Sequence, residues 1–459
     1  MEFIGRKDEL DTLKRLYQQN GLKGAIIYGR RRFGKTSLLL QSAKNFEGKV
    51  IYYQCLKMTN RENAKQLLYA VQQVFPDADL FGEYSFLDVL DLIFDLAKKE
   101  PILFLLDEYP YLSSRDGIDS YLQSLMDHNQ DLNMKIVLSG SYIGIMEHML
   151  DADHPLHGRF LYKIHLKAFD YYDSSMFYRD VSDEDKIKYY SVLGGIPYYL
   201  SMIDKNLSFE ENIKFLFLSP FAPLANEIQT TLQEEFAKID NAAFVISLII
   251  KGKHSYTDIK QAFFAQVRNS DLNYILKKLL DMNFISKNYA VNDEKKKSAY
   301  YEIEDNLFAF FYQIINPRLG LLPSMSIDSY YDHFIKEKLE HEFIPHRFEK
   351  ICKEYLIRQN REGKMTPLFF EIGSYTYNDS KKKIHGQFDL MTKDDFGNTF
   401  YECKYTKEKI DSSIVKEEVS QLEECSAPYY RLGFFSKSGY DLEKNKDYLY
   451  FTLEDLFSI

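Results

Sequence analysis

A glycine-rich run between an apolar stretch and a helix-forming stretch constrains this chain more than any other feature. Residues 29–36 read Gly-Arg-Arg-Arg-Phe-Gly-Lys-Thr, after Ala-Ile-Ile-Tyr at 25–28 and before Ser-Leu-Leu-Leu at 37–40. This order predicts a strand, a phosphate-binding loop and a helix. Glycines let backbone N–H groups approach phosphates, and the helix N-terminus adds the positive end of its dipole. The run therefore predicts an α/β P-loop fold that binds a nucleoside triphosphate.

The side chains of the same run have predicted roles. Lys35 would reach the β- and γ-phosphate oxygens, and Thr36 would ligate Mg²⁺. A glycine-rich helix start without a nucleotide is the alternative. The run reads phosphates only, so it leaves ATP and GTP open. The other residues predicted to line the nucleotide are Gly29, Arg32, Phe33, Gly34 and Ser37.

An apolar strand with an acidic end supplies what hydrolysis needs. Ile102–Leu106 precedes Asp107 and Glu108. Asp107 would hold the Mg²⁺ shell, and Glu108 would orient the attacking water. The next predicted strand ends in Ser-Gly-Ser, where Ser141 or Ser139 would sense the γ-phosphate. An ordinary turn is the alternative reading of the two serines.

Length and composition bound the class of protein. At about 150 residues per domain, 459 residues suggest about three domains. The four cysteines lack metal-site or disulfide spacing, and no run approaches the ~18 apolar residues of a membrane helix. A soluble, cytoplasmic protein without a membrane partner is expected. The net charge of −10 argues weakly against DNA, although local basic patches remain compatible with it.

Changes of pattern along the chain predict four parts. Short apolar runs alternate with helical segments in residues 1–165, as in a parallel sheet covered by helices. A helical, aromatic stretch at 166–238 predicts a lid, and three helices with a hairpin at 239–320 predict a winged helix. Residues 321–459 begin with a long helix and continue as strands. The predicted strands of the first part are Ala25–Tyr28, Val50–Gln54, Ile102–Leu106 and Lys135–Leu138.

A second acidic pattern lies near the C-terminus. Asp389, Glu402 and Lys404 form an Asp-x₁₂-Glu-x-Lys pattern around a turn at 394–397. In a regular hairpin, Lys393 pairs with Asn398, so Asp389 would lie opposite Glu402. Side chains alternate along a strand, so Lys404 would share the face of Glu402.

Opposed carboxylates repel unless a cation lies between them. The pattern therefore predicts a Mg²⁺ site at Asp389 and Glu402, with Lys404 assisting, in a metal-dependent nuclease of the PD-(D/E)xK type. Glu349 on the preceding helix is a possible additional ligand, and Gln421 on the following helix a supporting group. A solvated hairpin with an Asp389–Lys404 ion pair is one alternative, and an inactive nuclease fold retained for binding is another.

Basic residues at three places are candidates for phosphate contacts. Arg159 would stabilise transition-state charge, in cis or across a subunit interface, or is an ordinary surface arginine. Lys295–Lys297 at the predicted wing tip and Lys381–Lys383 before the Asp389 strand would contact the DNA backbone. Solvated lysine turns are the alternative for both clusters.

Taken together, these motifs resemble the archaeal-type ATPases of the STAND branch, related to AAA+ proteins. The family has a winged helix and a C-terminal restriction-endonuclease-like (DUF234-like) domain, so the resemblance extends over essentially the whole chain. It implies ATP as the nucleotide, adenine contacts for Ile4, Gly5 and Arg6, and a lid or sensor role for Gly195 to Pro197. The residues that carry the resemblance are the segments 3–10, 29–36, 106–108, 139–141, 158–159, 194–197 and 305–312.

The expected function follows from this arrangement of domains. We expect an ATP-hydrolysing switch that acts through the winged helix on a C-terminal Mg²⁺-dependent DNA nuclease or nuclease-like domain. The alternative is an ATP-dependent regulatory or signalling switch whose C-terminal domain binds nucleic acid or protein and cuts nothing. A homo-oligomer or a partner protein is compatible with both.

Overall fold

The structure, a computed structural model, describes residues 3–112, 117–236, 239–268, 270–379 and 384–458. The chain divides into two compact units, Met1–Ala168 and Phe169–Ile459. The mixed α/β class predicted from the sequence is confirmed, with a parallel sheet in the first unit and a second sheet near the C-terminus. The division into four parts at 165, 238 and 320 stays a prediction.

The first unit is a five-stranded parallel sheet with the strand order β2-β3-β4-β1-β5. Its strands are β1 (Lys23–Tyr28), β2 (Lys49–Gln54), β3 (Ile102–Asp107), β4 (Met134–Gly140) and β5 (Tyr162–His165). Its helices are α1 (Lys7–Tyr17), α2 (Lys35–Ala43), α3 (Asn60–Gln72), α4 (Phe86–Ala97), α5 (Ile118–His128) and α6 (Ile143–His148), with a 3₁₀ turn at Tyr109–Tyr111.

The four predicted strands are present, and their burial explains why the sequence revealed them. Every residue of β3 and β4 is buried, which requires the uninterrupted apolar runs typical of central parallel strands. β5 was not predicted, because it has only four residues and none of them is fully buried. The order places β1 beside β4 and β4 beside β3, so the carboxyl ends of these strands are neighbours. The three motifs of the predicted ATP site follow those ends.

The second unit begins with helices and a small hairpin. The helices are α7 (Tyr171–Ser175), α8 (Asp183–Leu193), α9 (Pro197–Leu200), α10 (Phe209–Ile213), α11 (Pro223–Phe236), α12 (Ala242–Ile250), α13 (Tyr256–Phe264), α14 (Leu272–Asp281), α15 (Asn306–Phe310), α16 (Ile327–Phe334), α17 (Lys336–Lys338) and α18 (Ile344–Arg361). Segments of 3₁₀ helix lie at Met176–Tyr178 and Asn316–Ser324, and π-helical segments at Lys214–Leu218, Phe311–Ile315 and Leu339–Phe343.

The elements expected of a winged helix are all present. Helices α12, α13 and α14 precede an antiparallel hairpin of β6 (Ile285–Asn288) and β7 (Tyr300–Ile303). Ser255 caps α13 by accepting from Asp258 N, and Asp271 caps α14 by accepting from Tyr274 N. These caps fix the helix starts that the sequence pattern indicates.

The C-terminal sheet has the strand order β14-β12-β10-β9-β8. β8, β9 and β10 are antiparallel, whereas β12 and β14 run parallel to β10. The predicted pairing of Asn398 with Lys393 is confirmed. Helix α19 packs its apolar side, including Leu422, on the sheet beside Phe388 and Phe400. The remaining bounds are β8 (Glu371–Asp379), β9 (Ile384–Asp394), β10 (Gly397–Lys404), β11 (Ile410–Asp411), α19 (Ser412–Cys425), β12 (Arg431–Ser436), β13 (Tyr440–Asp441), β14 (Leu449–Thr452) and α20 (Leu453–Phe457).

Candidate functional site

The phosphate loop connects β1 to α2 and curls around its own lysine. Lys35 is buried, and its Nζ donates to the backbone oxygens of Gly29 (2.9 Å) and Arg30 (3.0 Å). Gly34, at φ 85°, is the N-cap of α2, a left-handed conformation that glycine adopts without strain. The loop thus points its amide groups and the start of α2 towards one place, which is the geometry that anions require.

Asp107, at the end of β3, gathers donors from three neighbouring elements. Its Oδ2 accepts from the Thr36 hydroxyl at 2.6 Å and from the Tyr52 hydroxyl at 3.2 Å. Its Oδ1 accepts from the Ser139 hydroxyl and from Glu108 N, the latter at 3.0 Å. The Thr36 hydroxyl and the Asp107 carboxylate are adjacent oxygen ligands of the kind that Mg²⁺ prefers. The residues present therefore fit the predicted metal shell.

Glu108 has a left-handed backbone, at φ 52°. Such a conformation is costly for a residue with a side chain and is frequent at functional sites. Both of its carboxylate oxygens are held by Ser141, one by the backbone N–H at 3.1 Å and the other by the hydroxyl. The two serines that sequence reasoning treated as interchangeable thus differ, because Ser139 supports Asp107 and Ser141 holds Glu108.

Tyr52 is a site residue that sequence reasoning missed. It lies near the end of β2, and its hydroxyl donates to the oxygen of Asp107 that Thr36 also contacts. Burial, and then the negative charge of Asp107, raise the pKa of Tyr52, so the hydroxyl stays a donor. In the sequence, the one available indication of this role was that Tyr52 lies on a strand beside the strand of Asp107.

The segment predicted to contact adenine lies against the phosphate loop. Arg6 is buried, and its Nη2 donates to the backbone oxygens of Phe33 (3.2 Å) and Lys167 (2.7 Å). Gly5 and Arg6 both have positive φ angles, 67° and 61°, so the chain turns sharply there. This placement is compatible with the adenine role of Ile4 to Arg6, which stays a prediction.

Arg159 does not lie where the prediction of action in cis requires. Its Nε and Nη2 donate to the two carboxylate oxygens of Asp127, at 3.2 and 3.0 Å. The chain two residues later is bonded to Gly24, at the start of β1, whereas the phosphate loop follows the opposite end of that strand. Stabilisation of the γ-phosphate in cis is therefore wrong, and a role across a subunit interface stays a prediction.

Pro197 begins α9 in the second unit. The preceding Gly195 approaches Phe169 so closely that a Cβ would collide with the Phe169 backbone, and its oxygen accepts from Phe169 N at 2.8 Å. This contact explains the glycine structurally. The lid or sensor role of Gly195 to Pro197 stays a prediction.

The C-terminal pattern brings charged groups together. Lys404 Nζ lies 2.5 Å from Glu402 Oε1, so the lysine pairs with Glu402 rather than forming the ion pair with Asp389 that was considered as an alternative. Burial raises the pKa of Glu349, and the charges of Asp389 and Glu402 raise it further, although a hydrogen bond from His346 opposes them. Glu349 thus lies near both predicted metal ligands.

Asp389 lies in an irregularity of β9 that the sequence did not reveal. Between β8 and β9 the pairing steps from Gly373 with Met391 to Tyr375 with Phe388, which leaves an extra residue on β9. The ladder between β9 and β10 ends at Leu390 with Tyr401, one position before the predicted pairing of Asp389 with Glu402. Such bulges re-aim side chains and are frequent beside active sites.

Glu418 on α19 is a fourth carboxylate that sequence reasoning missed. Burial and the neighbouring Glu402 raise the pKa of Glu418 to about 8, and the two carboxyl groups share a hydrogen bond. Its signal was its position one helical turn before Gln421, on the same face of α19. Gln421 itself donates to the Tyr377 hydroxyl at 3.1 Å, so its amide contacts β8 and not a carboxylate of the site.

These carboxylates are close enough to influence one another but do not form a compact metal cage. Across the described ranges, the one group of three ligand atoms within 4.8 Å of each other is the exposed His148, Asp151 and Asp153. Asp389 and Glu402 have the hard oxygen ligands that Mg²⁺ takes, so their chemistry fits the metal although the full set has not converged.

Of the two basic clusters, the structure describes the one in the hairpin between β6 and β7. The hairpin turn that carries Lys295–Lys297 is joined to β8, because Val291 N donates to Ser374 O at 2.7 Å. The wing is therefore held to the C-terminal sheet, and DNA contact by its lysines stays a prediction. Lys381–Lys383 lie outside the described residues.

Comparison with known proteins agrees with this architecture. Residues 3–203 match a family described as an ATPase domain predominantly from Archaea, and residues 311–418 match DUF234, described as archaeal and bacterial proteins of unknown function. An uncharacterized protein of Methanocaldococcus jannaschii, MJECL04, is 28% identical over 379 residues, which are 81% of this chain and 81% of that protein.

Two solved structures share the fold. The Walker-type ATPase PABY2304 of Pyrococcus abyssi aligns over 68% of this chain and 96% of its own, with 22% identity and a TM-score of 0.54. The ORC2 protein of Aeropyrum pernix, solved as ADPNP–ADP complexes, aligns over 70% and 95%, with 15% identity and a TM-score of 0.51.

Residues 3–203 are therefore similar to an archaeal-type ATPase domain, and residues 311–418 are similar to a family of unknown function. In the part of the chain that the structure describes, each helix is too short or too polar to cross a membrane.

Proposed function

We propose that this protein hydrolyses ATP and that the nucleotide state controls a C-terminal Mg²⁺-dependent DNA nuclease through the winged helix. The observation that carries the first half is the meeting of the phosphate loop, the Thr36–Asp107 pair and Glu108 at one edge of the parallel sheet. The archaeal ATPase family supports hydrolysis as the activity of this domain.

The chain's own residues divide the work of hydrolysis. Lys35 exchanges the loop oxygens that it contacts for phosphate oxygens, so its charge is already in place. Thr36 and Asp107 would hold Mg²⁺, which neutralises charge on the transferred phosphoryl group. Glu108 orients water once its carboxylate leaves Ser141, so release of that contact is the step that activates the site.

Substitution of the loop lysine tests this half. Lys35→Ala should lower phosphate release roughly 100- to 1,000-fold, because one preorganised charge that stabilises the transition state is lost. Lys44→Ala is the matched control, since Lys44 lies at the other end of the same helix and its Nζ contacts only Gln41 among the hydrogen bonds that the structure gives it. Unchanged hydrolysis by Lys35→Ala would remove the assignment.

The nuclease half is supported by the C-terminal charge pattern. Glu349, Asp389, Glu402 and Glu418 gather negative charge around one lysine, and burial, with the neighbouring carboxylates adding to it, raises the pKa values of Glu349 and Glu418. Asp389 and Glu402 would hold the metal, which would polarise the phosphate and its attacking water. Lys404 lies beside Glu402, where its ammonium stabilises negative charge on the phosphate.

One observation favours the second candidate, a regulatory module that binds nucleic acid or protein and cuts nothing. The C-terminal carboxylates do not place three ligand atoms within 4.8 Å in the described residues. Cleavage of duplex, single-stranded and branched DNA with Mg²⁺ or Mn²⁺ separates the two candidates. Activity lost in Asp389→Ala and kept in the exposed control Asp447→Ala supports the nuclease. No cleavage of any substrate, with no metal bound by the wild-type protein, supports the binding module.

A further inference from the structure

The wing, residues 289–299 between β6 and β7, is built onto the C-terminal sheet. Asn292 pairs with the backbone of Thr376, donating to its oxygen at 2.6 Å and accepting from its N–H at 3.1 Å. Together with the bond from Val291 to Ser374, these contacts satisfy the free edge of β8. Gly373 permits the approach, since a Cβ there would lie 3.2 Å from the Val291 side chain.

The wing and the sheet enclose a large open cleft. Its volume is about 1190 Å³, and its walls come from the wing, from β8 and from the turn between β9 and β10. Three aromatic residues of the lining are unusually exposed: Phe396 at 73%, Phe370 at 59% and Tyr430 at 39%. Exposed apolar side chains that cluster in this way are more typical of a binding site than of a surface without a partner.

The charged lining of the cleft consists of four lysines and three carboxylates. Lys287, Lys296, Lys353 and Lys393 line it. Of its three carboxylates, Asp293 accepts from Ser298 N at 2.6 Å, Glu371 lies 3.8 Å from Lys393, and Glu294 is exposed. Aromatic faces beside lysines are the combination that binds single strands, because bases stack on the rings and phosphates meet the ammonium groups.

The cleft leads towards the C-terminal carboxylates. Lys393 lines the cleft, and Asp389 lies four positions away on the same strand, about 14 Å at the usual rise per residue. Tyr300 also lines the cleft and is close enough to Asp389 for that charge to contribute to its raised pKa, after burial. A strand lying in the cleft is therefore within reach of Asp389 and Glu402.

We propose that this cleft binds single-stranded DNA, with bases stacked on Phe370, Phe396 and Tyr430 and phosphates on the lining lysines, and directs the strand to Asp389. The wing forms one wall of the cleft and is held to the sheet. The inference rests on the proposed action of the second unit on DNA, but it concerns binding and needs no cleavage.

Fluorescence anisotropy of the full-length protein with a labelled oligo(dT) of about 12 nucleotides, a length within known single-strand site sizes, tests the proposal. EDTA in the buffer prevents cleavage. Phe396→Ala and Phe370→Ala should each weaken binding about 10-fold, because each removes one stacking face. Phe81→Ala and Phe221→Ala are matched controls, since these rings are 92% and 89% exposed and do not line the cleft. Affinity should also fall steeply with salt.

Four outcomes would overturn the proposal. They are no binding of oligo(dT), equal affinity in the cleft variants and the controls, tighter binding of a duplex of the same length, and tighter binding of oligo(rU). Exposed rings can be removed without loss of packing, and circular dichroism checks that each variant is folded. If the anisotropy pattern holds while the wild-type protein cuts nothing with Mg²⁺, the nuclease proposal fails and the binding cleft stands.

Discussion

The two candidate sites of this protein hold their carboxylates in opposite ways. In the first unit, Asp107 accepts hydrogen bonds from four donors and Glu108 from two. In the second unit, Glu402 has Lys404 on one side and the carboxyl group of Glu418 on the other. In the first site, the carboxylates have hydrogen-bond donors without any ligand. In the second site, two carboxyl groups lie side by side, where their negative charges repel.

The physical difference lies in what stabilises the charged form. Donors that converge on a carboxylate favour its ionised state, and a neighbouring carboxylate disfavours it. In the first unit, the hydrogen bonds hold Asp107 and Glu108 in fixed positions beside the phosphate loop. In the C-terminal site, burial and the neighbouring Glu402 raise the pKa of Glu418, so a bound cation would compete with a proton there.

The largest expected effect is at the ATP site. Glu108→Gln should lower the rate of ATP hydrolysis roughly 100- to 1,000-fold, because an amide cannot polarise the attacking water. Nucleotide affinity should be retained, since the phosphate loop and Lys35 are unchanged. Phosphate release and binding of a fluorescent ATP analogue measure the two separately. A parallel loss of affinity would show that Glu108 is part of the binding site and that the site is not complete without it.

The next effect probes the C-terminal site. Mg²⁺ at 100 times its Kd should raise the free energy of unfolding by about 2.7 kcal/mol, because an ion that binds only the folded state stabilises it by mass action. Asp389→Asn should remove most of this gain, while the exposed control Asp447→Asn should keep it. Urea denaturation with and without Mg²⁺, in the absence of nucleotide, measures the difference. If Mg²⁺ raises the free energy of unfolding of Asp389→Asn as much as that of the wild-type protein, the metal binds elsewhere.

The same contrast explains what the sequence predicted and what it did not. The phosphate loop, Asp107 and the pairing of Lys393 with Asn398 were predicted because backbone spacing alone fixes them. Tyr52 and Glu418 were missed because each reaches its site from a separate element, and only tertiary packing determines which face it shares.

One further expectation failed for a related reason. Arg159 was placed by its neighbours in sequence, but the bond from Leu161 N to Gly24 O holds its segment at the amino-terminal end of β1, and the phosphate loop follows the carboxyl end of that strand. The hairpin register of β9 and β10 agrees with the prediction as far as the ladder runs, whereas the bulge at Asp389 lies in the pairing of β9 with β8, for which the sequence offered no prediction. Local patterns therefore predicted spacing within a motif better than contacts between separate elements.

A smaller effect, also in the second unit, concerns a carboxyl group whose pKa is raised mainly by burial and not by a neighbouring carboxylate. Glu354 on α18 accepts from Tyr171 N at 3.0 Å and from the Tyr190 hydroxyl at 2.9 Å, yet burial raises its pKa to about 7. Between its unfolded pKa of about 4.3 and about pH 7, the folded state keeps a proton that the unfolded state has lost. Stability should therefore fall as pH rises through this window, by about 1–2 kcal/mol allowing for partial exposure.

Urea denaturation at pH 5 and pH 7.5 measures this slope. Glu354→Gln should flatten it, because the amide keeps an acceptor for the tyrosine and does not ionise. The exposed Glu337→Gln is the control and should leave the slope unchanged. If the slope is unchanged in Glu354→Gln, the pH dependence of stability comes from other groups, and burial of Glu354 is not its cause.

The smallest effect is expected where donors are redundant. Tyr52→Phe removes one of the four donors on Asp107, and Thr36 still serves the same oxygen. The loss should be about 0.5–1.5 kcal/mol, or a few-fold in the rate of hydrolysis, because no buried oxygen is left unpaired. Ser139→Ala provides the comparison, since Ser139 is fully buried and its hydroxyl bonds the other oxygen, where only the Glu108 amide remains. If Tyr52→Phe slows hydrolysis as much as Glu108→Gln does, the four donors on Asp107 act as one unit. The hydrogen bonds of the ATP site would then not be redundant, and its contrast with the C-terminal site would be lost.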